Sequence, residues 1–373
     1  MASKVKKIFA SIIEGIPPYR LVSIDALRGF DMFWIVGGAT FFVSLLALFN
    51  IHTTQFEHAA WHGFTFWDLI FPLFVFIMGI SMTFSINKRL ERGENRKDIY
   101  KHIVIRTLIL ILLGLIYNGL LDLDFAYQRY AGVLQRIALC YFFSSIIVMN
   151  TKIKGQIIWT ASLMLFYWGA MMLIPVPGVG AGVLTPSGNL SAFIDQKLLP
   201  GTFCCYEFGD NEGILSTIPA ISTALLGALT GHWLQSSFSK KRKALGLMIA
   251  GIASLLLGLL WNLVFPINKL IWTSSYVLYS AGWSLLLLCL FYWLIDVQGW
   301  QSWSFPFVLI GLNPITIYMA SALFDFSIIA KIFIHGFMDE MGRYQPLFLV
   351  TCTLIVKWYF LYFLYKHKIF LKV

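Results

Sequence analysis

Long apolar stretches recur along this chain, separated by short polar connections. Each stretch holds about 20 residues, enough for a helix to cross about 30 Å of hydrocarbon at about 1.5 Å of rise per residue. A further apolar run, 324–337, is shorter and indicates a re-entrant or interfacial segment. The pattern predicts an all-α polytopic membrane helical bundle of about ten transmembrane helices, at about 26–49, 65–87, 102–121, 131–149, 156–174, 213–235, 243–264, 270–294, 304–325 and 346–366.

Composition and charge placement support this fold class and indicate an orientation. Charged residues make up 12% of the 373 residues, against about 25% in a soluble domain. One set of alternate connections, with both termini, holds 20 of the 28 Lys and Arg residues, and the opposite set holds five. Because cytoplasmic loops retain positive charge, both termini are expected in the cytoplasm. The net charge of +10 is then a topology signal, and we expect no nucleic-acid partner.

The segments outside the predicted spans suggest how the chain is organised. Residues 1–20 are basic with apolar residues at roughly helical spacing, which favours a cytoplasmic amphipathic helix on the inner membrane surface. Residues 21–373 are predicted to form a single transmembrane domain. The external loop 175–212 is unusually long and mixes turn residues with apolar ones, so it is interpreted as a folded lid or as a merely solvated loop. Within it, Cys204 and Cys205 are interpreted as loop thiols, with a strained vicinal disulfide as the alternative.

Polar side chains in the predicted spans are site candidates, because ionisable groups are costly inside a membrane. Asp25, Arg28 and Asp31 follow at intervals of three in the first span, and they form either a self-neutralising ladder or part of a ligand site. Gln135 and Arg136 open the fourth span. An arginine in the outer third of the membrane needs an anionic partner. The partner is either a loop carboxylate, such as Asp122 or Asp124, or a bound phosphate or carboxylate.

Two further polar groups lie in the later spans. Span eight begins "NKLIWTSSYVLYS", which contains Trp272, Thr273 and Ser274. The Thr and Ser hydroxyls either bond carbonyls of their own helix or contact a ligand. Asn313 precedes Pro314 in span nine and is placed to satisfy backbone groups that the proline frees.

The segment "FEHAAWHGFTFWDL" places His58 and His62 before the second span. The spacing of four fits two zinc ligands on one helix face, but the glutamate of H-E-x-x-H is missing, so no metal is predicted. Histidine suits proton transfer near neutral pH, and the carboxylate of Asp68 could orient the ring and stabilise its charged form. An interfacial histidine without a catalytic role is the alternative.

Seven stretches occur in order between about Arg20 and Tyr318: "RLVSIDALRGFDMFW", "EHAAWHGFTFWDLIFPLFVFIMGIS", "GVLQRIALCYF", "TPSGNLSAFIDQKLLPG", "GILSTIPAISTALLGALTG", "FPINKLIWTSSYVLYSAGW" and "GLNPITIYM". Together they resemble the heparan-α-glucosaminide N-acetyltransferase family of transmembrane acyltransferases, in its compact bacterial form. The resemblance implies a membrane enzyme that moves an acetyl group from cytoplasmic acetyl-CoA to an amino sugar on the other side. The motif "HAAWHG" assigns the essential histidine to His58, and "DLIFP" places Asp68 beside it. The stretch "IVGGATFF" lacks the asparagine that family members often carry near the outer end of span one.

The resemblance, read with the predicted orientation, assigns roles to the remaining candidates. Residues expected to contact acetyl-CoA, whose phosphates should stay near the cytoplasmic end, are Arg28, Gln135, Arg136, Trp272, Ser274 and Asn313. Residues expected to contact an amino-sugar or glycan-derived acceptor are Trp61, His62, Asn189 and Glu212.

Several alternatives stay open at the level of sequence. His58 acts either as a general base or by carrying the acetyl group covalently, and the first route is favoured. A transporter or flippase of a sugar or amphipathic anion would also use intramembrane Arg and Asn. A third reading is an O-acyltransferase of a cell-envelope polysaccharide. We expect a bacterial inner membrane location, and family analogy alone suggests a homodimer.

Overall fold

The structure is a computed structural model that describes residues 21–370, apart from the side chain of Asp339. The predicted amphipathic segment 1–20 lies outside the described residues. In the described part of the chain nearly all regular structure is helical, and the strands β1 (Cys205–Tyr206) and β2 (Gly209–Asp210) form one small antiparallel hairpin. The all-α polytopic prediction is therefore confirmed.

The helices follow the predicted apolar stretches closely. In chain order they are α1 (Val22–Phe33), α2 (Ala39–Ala47), α3 (Phe66–Glu91), α4 (Arg96–Tyr117), α5 (Val133–Asn150), α6 (Ile153–Leu173), α7 (Leu190–Leu198), α8 (Thr217–Gln235), α9 (Lys240–Asn262), α10 (Ser274–Tyr292), α11 (Phe305–Leu312), α12 (Pro314–Leu323), α13 (Phe326–Met338) and α14 (Gln345–Lys366). A π-helical turn, Trp34–Gly38, joins α1 to α2.

The number of membrane-spanning helices differs slightly from the predicted ten. Within residues 21–370, eight helical segments are long and apolar enough to cross a membrane, and the bent pair α11 and α12 makes nine if it is one span. Helix α8 is not among them, because its Thr, Ser and His residues lower its mean hydropathy, although most of its side chains are buried. Helix α13 has 13 residues, too few for a full span, in agreement with the short apolar run.

The described residues divide into two compact units. The first contains residues 21–56, Lys240–Leu245 and 287–370, and the second contains Glu57–Ser239 and Gly246–Leu286. In the first unit α1 packs along α11, and α14 packs against α13 and α2. Asn313 lies at the break between α11 and α12, where the helix axis turns by 64°.

Helix α3 is the centre of the second unit. It packs against α8 and α5, and most of its side chains are buried. Two glycines allow α3 and α8 to approach closely: a Cβ atom at Gly79 would overlap the carbonyl oxygen of Ala224, and one at Gly227 would overlap the carbonyl oxygen of Phe76. Small residues at such crossings let helix backbones pack directly in a membrane.

We expect Gly79→Ala to destabilise the protein by about 1 to 3 kcal/mol, because the added methyl group forces α3 and α8 apart. Gly169→Ala is the matched control. Gly169 also lies inside a helix, but a Cβ there meets nothing within 4 Å, and alanine has the better helix propensity. Thermal unfolding in detergent should show a lower midpoint for Gly79→Ala alone. Equal midpoints for both variants would contradict the close crossing.

Candidate active site

His58 and Asp68 form a hydrogen-bonded pair in the second unit. His58 Nδ1 lies 2.8 Å from Asp68 Oδ1. Asp68 occupies the first turn of α3, whose N-cap is Thr65, and its Oδ2 accepts the backbone N–H groups of Thr65 (3.1 Å) and Ala59 (3.2 Å). The carboxylate thus satisfies unpaired donors at the start of a helix and holds the imidazole at the same time.

This pair fixes which ring nitrogen of His58 is available for chemistry. An ionised carboxylate only accepts hydrogen bonds, so Nδ1 carries the proton and the neutral ring has its lone pair on Nε2. The His58 side chain is 40% exposed, whereas Asp68 is 1% exposed. The hydrogen bond joins the two residues that the sequence analysis paired, and their roles as base and orienting carboxylate stay predictions.

A proline in α3 ties Asp68 to a second helix. Pro72 has no N–H, so the backbone carbonyl of Asp68 lacks its normal partner four residues later. The hydroxyl of Tyr276, in α10, donates to that carbonyl at 2.7 Å and replaces the missing bond. The first turn of α3 is therefore anchored to α10 directly at the site.

Lys269 is the charged neighbour that the sequence analysis missed. Its Nζ lies 3.0 Å from both ring nitrogens of His58 and 3.9 Å from Asp68 Oδ1, and its side chain is 9% exposed. Burial lowers the pKa of Lys269, while the carboxylates of Asp68 and Glu212 act to raise it. From sequence it was only one of five positive charges on the external side. The signal that could have found it is its position in the apolar stretch "FPINKLIW".

A compact turn before α10 holds Lys269 in place. Asn268 Oδ1 accepts the backbone N–H of Ile271 at 3.1 Å, and Thr273 Oγ1 accepts the N–H of Asn268 at 3.0 Å. Trp272 has a left-handed backbone with φ of 49°, which is strained for a bulky residue, and its indole is 1% exposed. Ser274 Oγ donates to the carbonyl of Met164 at 2.7 Å. Trp272 and Ser274, two of the residues expected to contact acetyl-CoA, are thus buried and packed.

Arg136 and Gln135 present unused polar atoms in the interior of the second unit. The Arg136 guanidinium donates to the carbonyl of Gly213 and the hydroxyl of Ser216 and lies 4.9 Å from the ring centre of Trp272. Its Nε and Nη1 atoms, and both amide atoms of Gln135, are buried without a hydrogen-bond partner in the described part of the chain. Among residues 21–370, no ion pair joins Arg136 to Asp122 or Asp124. A bound anionic or carbonyl group is therefore the remaining partner to test for Arg136.

The 175–212 loop is folded. Arg129 donates to both carboxylate oxygens of Asp210 at 2.7 Å and also pairs with Glu212, and a backbone bridge joins Arg129 to Gly201. Burial raises the pKa of Glu212, and Arg136 and Arg129 act to lower it.

The preferred reading of the two loop cysteines was wrong. The structure pairs Cys204 and Cys205 as a vicinal disulfide. The backbone N–H of Cys204 donates to Asp210 Oδ2 at 3.1 Å, and this contact ties the disulfide to the β1–β2 hairpin.

The candidates for acceptor binding are engaged by the fold to different degrees. Trp61 donates its indole N–H to the carbonyl of Leu184 at 2.7 Å. His62 Nδ1 lies 3.4 Å from Asn268 Nδ2, and burial lowers the pKa of His62. The Asn189 amide caps α7 and donates to two loop carbonyls, so its hydrogen-bonding capacity is used within the loop. Trp61 and His62 lie beside His58 in the chain, and the acceptor roles of all these residues stay predictions.

Arg28 and Asn313 belong to the first unit. Arg28 pairs with Asp25 at 3.3 Å and donates to the carbonyl of Gly311 at 3.4 Å, so one of the two carboxylates of the predicted ladder is paired with it. Asn313 Nδ2 donates to the carbonyl of Ile369 at 3.2 Å. Both Asp31 oxygens are buried without a partner among residues 21–370. Contacts of Arg28 and Asn313 with a cofactor stay predictions.

Comparison with known proteins gives a family match and two similar relatives. The family model described as heparan-alpha-glucosaminide N-acetyltransferase, catalytic, matches residues 20–259. The heparan-alpha-glucosaminide N-acetyltransferase of Homo sapiens is 28% identical over 374 residues, covering 84% of this chain and 54% of that protein. The protein of the same name from Mus musculus is 29% identical over 416 residues, covering 95% of this chain and 60% of that protein. The chain thus spans between half and two thirds of the length of these relatives.

Asp195, in α7, gives a pH-dependent test of the folded loop. Burial raises the pKa of Asp195 to about 6, although its carboxylate accepts the backbone N–H of Ile214 at 2.9 Å. Because the fold disfavours the charged form, this carboxylate lowers stability increasingly as pH rises from about 4 to about 6. We expect the unfolding free energy of Asp195→Asn to rise by about 2 kcal/mol relative to that of the wild type between pH 4 and pH 7. A difference in unfolding free energy that does not change with pH would contradict the buried position.

Proposed function

The chain belongs to the heparan-α-glucosaminide N-acetyltransferase catalytic-domain family, and from this membership we propose that it is a membrane acyltransferase. Its donor substrate is acetyl-CoA, and its acceptor is the amino group of a glucosamine-type sugar on the extracytoplasmic side. The human and mouse relatives are both named heparan-alpha-glucosaminide N-acetyltransferase, which supports the reaction class. The observation that carries the proposal is the His58–Asp68 hydrogen bond of 2.8 Å, which leaves the lone pair on Nε2 of a side chain that is 40% exposed.

His58 acts as a general base in this reaction. As the amine nitrogen bonds to the acetyl carbon, Nε2 takes a proton from the amine, and the buried carboxylate of Asp68 stabilises the resulting imidazolium. The bond between the acetyl carbon and sulfur then breaks, and the sulfur leaves with the proton that His58 held. Direct transfer in one complex avoids exposing an acetylated imidazole to water, which favours it over a covalent route because the ring is 40% exposed.

Arg136 and Gln135 are suitable partners for the donor. Their side chains are buried, and they hold hydrogen-bonding atoms that no other described residue uses. The Arg136 Nε and Nη1 donors suit a carbonyl or carboxylate oxygen, and the Gln135 amide both donates and accepts. We assign these groups to the pantetheine arm or the acceptor sugar. A role for Arg28 at the phosphates, a bacterial inner membrane and a homodimer remain predictions.

The function is tested by reconstituting the purified protein in liposomes with acetyl-CoA and glucosamine and measuring N-acetylglucosamine. We expect His58→Ala to lower the rate by roughly 10² to 10⁴, because it removes the general base. His52→Ala is the matched control, an exposed histidine six residues away in the same connection, and should keep the rate within about tenfold.

The possible outcomes separate the rival functions. An alkali-labile acetyl product would indicate a hydroxyl acceptor. Sugar uptake without acetylation would indicate a transporter. An unchanged rate for His58→Ala would remove His58 from the mechanism.

Asp68→Asn tests the orienting carboxylate separately. The asparagine keeps the shape, but it loses the charge that stabilises the imidazolium and can offer an N–H to Nδ1 in place of an acceptor. We expect the maximal rate to fall by roughly 10² to 10⁴, with little change in KM for acetyl-CoA, measured in the same assay. Thermal unfolding should accompany it, since Asp68 also caps α3. A rate close to that of the wild type would mean that Asp68 serves the helix alone.

A further inference from the structure

The ammonium group of Lys269 is the charged group beside His58 that the base mechanism leaves unused. It is nine-tenths buried, and it belongs to the turn before α10 rather than to the histidine segment. Its hydrogen-bonding contacts within residues 21–370 are the two ring nitrogens of His58, each at 3.0 Å. A buried cation with so few partners is costly unless something else accepts its protons.

A count of donors and acceptors shows how incompletely Lys269 is satisfied. The ammonium has three N–H donors. His58 Nδ1 is committed to Asp68 as a donor, so only Nε2 can accept from Lys269. Asp68 Oδ1, at 3.9 Å, is beyond hydrogen-bonding distance and attracts the ammonium only through charge. Within the described part of the chain, at most one of the three donors therefore has an acceptor.

We propose that Lys269 is a catalytic residue, which donates a hydrogen bond to the acetyl carbonyl oxygen as that oxygen becomes negatively charged. The inference rests on the proposed acetyl transfer. When the amine of the acceptor uses Nε2 as its proton acceptor, Lys269 loses its one partner in the protein. The carbonyl oxygen of the acetyl group then replaces Nε2 as the acceptor for the ammonium.

The charges balance at each step. The amine nitrogen bonds to the acetyl carbon, the C=O bond becomes C–O⁻, and the amine proton moves to Nε2. The site then holds two ion pairs, Lys269 with the oxyanion and the His58 imidazolium with Asp68. When the carbonyl re-forms, the C–S bond breaks and the thiolate takes the proton from His58. A fixed, buried donor aimed at developing charge is among the strongest contributions to catalysis.

The experiment compares the same folded polypeptide with and without the ammonium. Lys269→Cys is purified, and half is alkylated with 2-bromoethylamine, which converts the cysteine into an aminoethyl cysteine that restores a side chain of nearly lysine length and charge. Wild type treated in the same way controls for alkylation of Cys140, Cys289 and Cys352. Lys197→Met, which removes a lysine from the folded external loop, is the control for loss of a positive charge.

We expect Lys269→Cys to lower kcat by about 10² to 10³, with KM for glucosamine changed less than about threefold, because the interaction becomes strong only as the oxygen becomes negatively charged. Alkylation should raise the kcat of Lys269→Cys at least about tenfold over the untreated variant. A purely structural role of Lys269 would not give this recovery. If Lys269→Cys is not recovered folded, Lys269→Arg decides. A guanidinium keeps the cation and cannot act as a base, so kcat within about tenfold of wild type supports an electrostatic donor.

Three results would overturn the inference. One is a kcat for Lys269→Cys within threefold of wild type while His58→Ala is inactive. Another is a lost kcat that alkylation does not restore in folded protein. The third is a Lys269→Arg variant that folds but is as inactive as His58→Ala, which would make the lysine itself the base. Absence of acetyl transfer by the wild type would reject the proposed function first and this inference with it.

Discussion

The hydrogen bond between His58 and Asp68 is the interaction on which the rest of the site depends. Asp68 can hold the imidazole because it is itself fixed in the first turn of α3, where it accepts the backbone N–H groups of the N-cap Thr65 and of Ala59 in the preceding loop. Helix N-termini favour negative charge, so the fold stabilises this buried carboxylate before any substrate is present. The same residue therefore caps the helix and sets the tautomer of the His58 imidazole.

The packing of the second unit makes this arrangement rigid. Helix α3 is buried along most of its length, and glycine contacts fix it against α8. At its first turn Pro72 leaves the carbonyl of Asp68 open, and Tyr276 closes it from α10. Since the turn that precedes α10 also carries Lys269, the side chains of His58, Asp68 and Lys269 are held by neighbouring parts of one packed region. In the proposed reaction, an error of about an ångström at any of these anchors would displace the reacting atoms.

Sequence alone could predict the fold class and the His58–Asp68 pair, because both are local. Apolar length determines the helices, and ten residues separate the histidine from a carboxylate in the first turn of the next helix. The position of Lys269 in an apolar stretch could have marked it as unusual, but its contact with His58 could not be predicted, since the two are 211 residues apart and only packing brings them together. The pairing of Cys204 with Cys205 was also misjudged, because loop composition does not fix a hairpin geometry. Nor could the sequence show that Asn189 serves as a helix cap with its amide fully used.

The central claim is that Asp68 makes His58 a base at Nε2. Nitrogen NMR of the ¹⁵N-histidine-labelled protein tests it most directly, because the shifts of the two ring nitrogens distinguish which one carries the proton. The His58 signals can be assigned by their loss in His58→Gln. The account predicts that neutral His58 is protonated at Nδ1 in the wild type and loses this preference in Asp68→Asn. A neutral ring protonated at Nε2 in the wild type, or a tautomer unaffected by Asp68→Asn, would contradict the account.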